Sequence, residues 1–373
     1  MKEKGSAPLI IILILVVAVI AIFAFLRFSK NPRKIQTLMP QTKKSAQDVQ
    51  AESKWQEKGV AISGQYADAE VVDLGNGQYR MYYSIEPEVP GNNLEVYSAV
   101  SSDGINWEKE SGIRKTFATF PDIVKLPDGR WRMYFQNAGV IKSAISTDGL
   151  SWTDEPGVRI GKSESGFNLE DVGAQGTIRL DDGTYIMLYR GTINEPYRTR
   201  EKIPNQDTHI YFWATSKDGL TFEKKGLAID SRNDILLGAA DGAEWVRWDD
   251  GELRVYFWSY AGVYHVIYNA SLQERSDVIA SDYKDGTFSQ PVFDFTNKQS
   301  FSSNKQSFSS NKQSFSSNKQ SFSSNKQSFS SNNKDPMAKF SPNPPADPTL
   351  AKINGKWFMY YGQHTKGINF ATY

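Results

Sequence analysis

Apolar and polar residues alternate along most of the chain in short runs, and one arrangement of them recurs five times. A short strand leads to a turn containing Gly and then to an aromatic-rich strand. The aromatic strands are Tyr79–Tyr83, Trp131–Phe135, Tyr185–Tyr189, Leu253–Phe257 and Trp357–Tyr361. The turns before them are Asn76-Gly77, Asp128-Gly129, Asp182-Gly183, Asp250-Gly251 and Asn354-Gly355. Such dipeptides between period-two runs predict β-hairpins, because they tolerate the left-handed backbone that tight hairpin turns require. Five copies of one supersecondary unit predict a five-bladed β-propeller.

The remainder of each repeat fits that reading. Third strands end in similar turns, Ser102-Asp103-Gly104-Ile105-Asn106-Trp107, Thr147-Asp148-Gly149-Leu150-Ser151-Trp152 and Lys217-Asp218-Gly219-Leu220-Thr221-Phe222, and an outer strand follows, as from Phe222 through Gly226 to Ile229. The same outer-strand pattern stands alone at Trp55, Gly59, Val60 and Ile62, while the last repeat stops in its third strand at Gly367–Tyr373. Placing residues 55–62 on the edge of the last blade removes two exposed edges at once, so the sequence predicts a ring closed by its own N-terminal strand.

Three segments fall outside the repeat. Ala7 to Leu26 is an uninterrupted apolar run without charge, long enough for a transmembrane helix. A cleavable signal peptide competes with that reading, but its apolar core is normally shorter, and no small-x-small cleavage site precedes Arg27. The expected organisation is therefore a membrane anchor over 1–26 (helix 7–26), a polar tether over 27–54 and a propeller over 55–373. Lys2 and Lys4 precede the span, whereas Arg27, Lys30, Arg33, Lys34, Lys43 and Lys44 follow it, which by the positive-inside rule keeps the propeller cytoplasmic. The reading adopted is nevertheless extracytoplasmic, on the chemistry suggested by the acidic residues of the inner strands. Within the propeller, Asn-Lys-Gln-Ser-Phe-Ser-Ser occurs five times in tandem from Asn297 to Ser331. One Phe per seven residues makes no coiled-coil seam, so residues 297–334 are expected to be a disordered insert between blades four and five.

Composition narrows the chemistry. Aromatics at 13% suit short strands packed ring against ring, and a net charge of +1 gives no electrostatic footprint for nucleic acid. The absence of Cys excludes disulfides, thiolate metal sites and a Cys nucleophile. His209, His265 and His364 are too scattered to suggest a polyhistidine metal centre, and no cofactor is expected.

In a propeller the innermost strands line the central channel, and their first residues surround one mouth. Acidic residues fall there in four repeats: Asp68 and Glu70, Asp122, Asp241 and Glu244, and Asp347, with Glu170 and Asp171 set further from their strand. Any one Asp is as readily explained as a loop cap. Several carboxyls converging on one pocket are what glycoside hydrolysis needs, a protonated acid at the leaving oxygen and an ionised carboxylate opposite.

On these residues the chain resembles the five-bladed furanosidase superfamily, glycoside hydrolase family 43 and its invertase and levansucrase relatives, over about residues 55–373 without the insert. The resemblance implies that Asp68, in Tyr66-Ala67-Asp68-Ala69-Glu70-Val71-Val72, is the general base, although the family's following Pro is here Ala69. It implies that Asp122, in Phe120-Pro121-Asp122-Ile123, tunes the acid's pKa. The family's acid is a Glu in a Glu-Gly-Pro-like segment; here the segment is Asp241-Gly242-Ala243-Glu244-Trp245, which leaves the acid at either Asp241 or Glu244.

Weaker candidates accompany these. Arg190 either binds a sugar hydroxyl or carboxylate or packs along a blade. Trp245, Trp258 and Tyr260 either stack on a sugar or fill blade cores. His364 stands where family members place a His near a channel Ca2+. Three readings compete: an inverting furanosidase, a non-catalytic carbohydrate-binding or surface-display propeller, and a sialidase-like enzyme. The last rests on the Ser-x-Asp-Gly-type turns, with no arginine trio or catalytic Tyr to support it.

Overall fold

The computed structural model describes residues 55–87, 91–197, 207–232, 236–259, 262–268, 346–363 and 367–373. The anchor, the tether, the repeat insert, Tyr260 and His364 lie outside the described residues. Among the described residues no helix is long and apolar enough to cross a membrane.

Strand β1 (Gln56–Ile62) opens the domain. Blade one is β2 (Tyr66–Gly75), β3 (Gln78–Ile85), β4 (Glu95–Ser101) and β5 (Glu108–Lys109), with β6 (Lys115–Thr116) also pairing with β4. Blade two is β7 (Thr119–Lys125), β8 (Trp131–Asn137), β9 (Val140–Ser146) and β10 (Thr153–Ile160). A small hairpin, β11 (Ser163–Glu164) and β12 (Phe167–Asn168), leads to blade three, β13 (Asp171–Arg179), β14 (Tyr185–Ile193), β15 (Thr208–Ser216) and β16 (Glu223–Ile229). Blade four is described as β17 (Asp241–Arg247), β18 (Leu253–Ser259) and β19 (Gly262–Tyr268). Blade five runs β20 (Ala346–Ile353), β21 (Lys356–Gln363) and β22 (Gly367–Thr372), and β1 pairs antiparallel with β22 as its fourth strand. The ring therefore closes as the unpaired outer-strand pattern at residues 55–62 predicted.

Each seam between neighbouring blades has its own apolar core. Blades one and two pack through Val72, Met133 and Phe135, and blades two and three through Val124, Met187 and Phe212. Ile186, Trp245 and Val255 join blades three and four, Trp248, Trp357 and Met359 join four and five, and Met81, Phe358 and Ile368 join five and one. The aromatic strands thus face neighbouring blades, which is why every repeat needs one.

The Asp-Gly turns add a polar latch. Asp103 Oδ1 accepts the Ile105 and Asn106 amides, both at 2.8 Å, and so shapes its turn. The carbonyl of the turn glycine then accepts a hydroxyl from the preceding blade: Tyr360 to Gly104 at 2.7 Å, Tyr82 to Gly149 at 2.8 Å and Tyr134 to Gly219 at 2.8 Å. A Cβ at Gly149 would lie 2.6 Å from the Tyr82 hydroxyl, so the turn needs glycine for closeness as well as for its left-handed backbone. These turns, which suggested a sialidase, here tie blade to blade.

Candidate active site

All five innermost strands carry the same irregularity at the same place. In β2 the register passes from Ala67 opposite Ser84 to Glu70 opposite Tyr82, so one extra residue bulges out. The same shift falls between Thr119 and Asp122 in β7, Gly173 and Gly176 in β13, Asp241 and Glu244 in β17, and Ala346 and Thr349 in β20. At each bulge one residue turns left-handed: Asp68 (φ 54°), Phe120 (50°), Ala174 (43°), Gly242 (58°) and Asp347 (47°). Non-glycine residues seldom adopt this conformation, and four of them around one opening single it out as the candidate site.

These bulges frame a pocket lined by all five inner strands, through Asp68 and Glu70, Phe120, Ala174 and Gln175, Gly242 and Glu244, and Asp347. The cavity they enclose is about 30 Å³, room for about two waters.

The bulge corrects the expectation that Asp68, Asp122 and the blade-four carboxyls hold equivalent places. Asp68 and Asp347 occupy the left-handed position itself; Glu70, Asp122 and Glu244 lie two residues deeper; Asp241 lies one residue before it. The inserted residue shifts the period-two pattern by one, and from sequence these offsets look alike.

The two tiers differ in electrostatics. At the mouth, burial and then the nearby Glu86 push the Asp68 carboxyl up to about 7, against a hydrogen bond that its Oδ2 accepts from the Phe120 amide at 3.3 Å. Below it, burial and then Asp122 raise Glu70 well above the usual carboxylate range. Burial, then Glu70 and Asp122, raise Glu244 likewise, and Asp122 itself is raised by burial to about 7. Burial first, and then the charges of Glu70 and Asp122, favour the protonated form of the Glu244 carboxyl.

Asp241 is the opposite case. Burial opposes its ionisation, but Arg190 and His209 outweigh burial and hold the carboxyl well below its ordinary value. Arg190 Nη1 and His209 Nδ1 lie 2.8 Å and 2.9 Å from Asp241 Oδ2. For His209 burial again opposes charge, yet Asp241 and Asp207 push the imidazole up to about 9. A carboxylate so paired has no proton to give.

Other sequence candidates fall elsewhere. Arg190 is buried with its guanidinium 5.4 Å from the Phe120 ring centroid and committed to Asp241 and, at 3.3 Å, to Asp171, so it orders carboxylates instead of standing free for a sugar. Asp171 also accepts the Thr192 hydroxyl at 2.9 Å. Glu170 is exposed, and only its backbone amide is engaged, with the Thr192 carbonyl at 2.8 Å. Trp245 is no sugar platform: it fills the seam between blades three and four and donates Nε1 to the Gly176 carbonyl at 3.1 Å. Trp258 does reach the site, donating Nε1 to Asp347 Oδ1 at 3.2 Å. Among the described residues no group of His, Cys, Asp or Glu is arranged to hold a metal.

Sequence reasoning missed Glu86 and His209. Glu86 is buried beyond the end of β3, where nothing marks it, and His209 is the second residue of β15, the third strand of its blade. The one available signal was spacing from the hairpin turn, since β15 pairs residue by residue with β14 and brings His209 opposite Thr192, two residues from Arg190.

No protein-family model and no curated protein matches this sequence. Solved structures do. A putative glycosidase from Bacteroides thetaiotaomicron superposes with a TM-score of 0.52 at 14% identity, covering 84% of this chain and 88% of its own. A structure described as "The GH130 family of mannoside phosphorylases contains glycoside hydrolases that target beta-1,2 mannosidic linkages in Candida mannan" superposes at 0.51 and 13% identity, covering 87% and 95%. An α-L-arabinofuranosidase from Clostridium thermocellum is similar more loosely, at 0.42 and 15% identity, over 79% of this chain and 81% of its own. At such identities the first two likenesses speak to the fold: this chain has the five-bladed propeller architecture found among glycosidases.

Proposed function

We propose that this chain is a membrane-anchored glycoside hydrolase that inverts furanosidic linkages of the arabinoside, fructoside or xyloside type, with its propeller on the extracytoplasmic side. One observation carries the proposal. Asp68 from blade one and Glu244 from blade four line the same pocket, the first raised to about 7 and the second raised well above the usual carboxylate range. That is the acid and base division an inverting site requires.

In this mechanism Glu244 gives its proton to the leaving glycosidic oxygen. A water at the pocket floor attacks the anomeric carbon and loses a proton to Asp68. Asp122 and Glu70 act through Glu244, keeping it protonated until the glycosidic oxygen arrives. The ion pairs of Arg190 and His209 with Asp241 fix the blade-three and blade-four side of the mouth. The glycosidases named above favour glycans as the ligand class, and the apolar run at Ala7–Leu26 favours an anchor.

The tightness of the floor favours one second reading, a propeller that binds glycan without turnover. A panel of aryl furanosides, with proton NMR of the first anomer released, separates the two. Inverted product that disappears in both Asp68→Asn and Glu244→Gln supports the hydrolase. Binding of oligosaccharide without turnover by the wild-type chain establishes the binding propeller instead.

A further inference from the structure

A second cleft, of about 630 Å³, shares no residue with the pocket of carboxyls. It lies at the seam between blades five and one, between the outer strand β1 and the Asp103-Gly104 turn, with Val60, Ala61, Ile105, Asn106, Trp107 and Glu108 on its walls. Ligand sites commonly occupy about 300–1,000 Å³.

The next two seams show what this one lacks. Strand pairing sets Lys115, Ile160 and Ile62 in equivalent places, opposite Val96, Ile141 and Ile368. The residues just before them, Arg114, Arg159 and Ala61, are therefore equivalent too. Arg114 and Arg159 are buried, and each lays its guanidinium on the turn of the following blade. Arg114 Nη1 donates to the Leu150 carbonyl at 3.3 Å, and Arg159 Nη1 to the Leu220 carbonyl at 2.9 Å. Their Nη2 atoms donate to carbonyls two or three residues earlier, Ser111 and Gly112 for Arg114 and Pro156 for Arg159. Ala61 cannot reach across. Ile105, in the place of Leu150 and Leu220, is exposed where they are half-buried.

A second arginine of those seams is absent as well. Arg80 and Arg132 donate to the Asp148 and Asp218 carbonyls at 3.1 Å and 3.0 Å, and Phe358 takes their register position in blade five. Its ring closes that space, since a Cβ at Gly104 would lie 3.2 Å from it, whereas beside Ala61 the space stays open. The lysines of the two walls are engaged elsewhere. Lys58 donates to the Gln56 side chain at 2.9 Å, and Lys109 to the Ser63 carbonyl at 3.4 Å and the Tyr66 hydroxyl at 3.3 Å. Glu108 adds an exposed carboxylate.

We propose that this cleft binds the guanidinium of an arginyl side chain from another polypeptide, in the place that Arg114 and Arg159 fill in the following seams. The Ile105 carbonyl accepts its N–H groups, Val60 and Trp107 cover its methylenes, and Glu108 balances its charge. A polypeptide is the fitting carrier because β1 is the edge of its sheet, and a segment laid along that edge delivers a side chain beside it.

The Trp107 indole N–H, which donates to the Gly104 carbonyl at 3.3 Å, reports on the cleft. Its proton–nitrogen resonance, assigned by its loss in Trp107→Phe, is followed on the full chain in detergent micelles as N-acetyl-arginine amide is added. A saturable shift is expected. N-acetyl-citrulline amide, the neutral isostere, should bind at least about tenfold more weakly, the loss that one charge-assisted hydrogen bond represents. Ala61→Arg should abolish the response by filling the site from within, and Glu108→Gln, at an exposed position, should weaken binding by about two- to fivefold. No saturable shift, equal binding of both probes, or wild-type binding in Ala61→Arg overturns the proposal. Should Ala61→Arg not fold, Ala61→Met blocks the same space and is judged by the same loss. A Trp107 resonance that moves in Arg27→Gln or Arg33→Gln with no probe present puts the chain's own N-terminal segment in the cleft and overturns the site for an external arginine.

Discussion

If the ring is closed by its N-terminal strand, removing one side chain at residue 55 should weaken the whole propeller. Trp55 is buried and meets Trp248 edge-on at 6.3 Å and Tyr373 at 5.2 Å, and Trp248 stacks on Trp357 at 4.4 Å. It therefore pins β1 to blades four and five at once. Trp55→Ala leaves a cavity in that cluster, and a buried Trp-to-Ala change costs about 3–5 kcal/mol. Each lost edge-to-face contact accounts for about 0.5–1.5 kcal/mol of it. With a urea dependence at or above about 3 kcal/mol per molar, as suits a domain larger than most, the midpoint should fall by about 1–1.5 M. Unfolding is followed by far-ultraviolet circular dichroism, which sees every blade, and by tryptophan fluorescence, which weights this cluster. The reasoning requires both transitions to move together. It is refuted if the circular-dichroism midpoint stays put while only the fluorescence changes, because Trp55 would then be holding down a frayed end.

Three further outcomes are expected. Tyr82→Phe removes the hydroxyl that satisfies the buried Gly149 carbonyl and should cost about 1–3 kcal/mol in the same urea assay, with an unchanged midpoint counting against the latch. Asp68 and Asp122, each raised to about 7, stabilise the fold fully below their unfolded values near 4 and lose that contribution as pH rises through 7, while His209, raised to about 9, loses its contribution as pH rises from about 6.5 through 9. All three signs agree, so the urea midpoint should be higher at pH 5 than at pH 8.5, and the reverse order contradicts the assignment. Finally, Glu86→Gln removes the anion that helps raise Asp68, and the acid limb of the kcat/KM profile, near pH 7 in the wild type, should move to lower pH; a limb that stays in place takes Asp68 out of the base role.

Most of the fold was legible because its signals are local and repeated. Asn76-Gly77 and Asn354-Gly355 both turn left-handed, as the dipeptides predict, and the spare pattern at Trp55 to Ile62 found its partner in β22. The site was legible only as a set of carboxyls. Their offsets depend on a bulge that shifts the period-two pattern by one and that no local motif marks, so Asp68 and Glu244 looked level when they are two positions apart in depth. Both readings of Trp245 stayed open because period two does not say whether an inward face meets the channel or the next blade. The charge on Asp241 is set by Arg190 and His209, 51 and 32 residues away, a separation no local motif spans.

The repeated bulge separates backbone from chemistry. Asp, Phe, Ala and Gly all occupy the same left-handed position around the mouth, so the conformation there is imposed by strand pairing and not chosen by the side chain. Blades one, two, three and five consequently each offer one interchangeable slot facing the pocket, with the strain of that slot borne by the hydrogen-bonded ladder behind it. A single nucleotide change can swap the functional group in one slot while the others, and every seam, stay as they were. Such an architecture lets a lineage alter what it recognises or lose turnover altogether without passing through an unfolded intermediate sequence. It also gives an engineer four addressable positions at which a carboxyl, a ring or a methyl can be installed one blade at a time, the fifth, Gly242, being closed because a Cβ there would lie 2.3 Å from the Asp347 Cα.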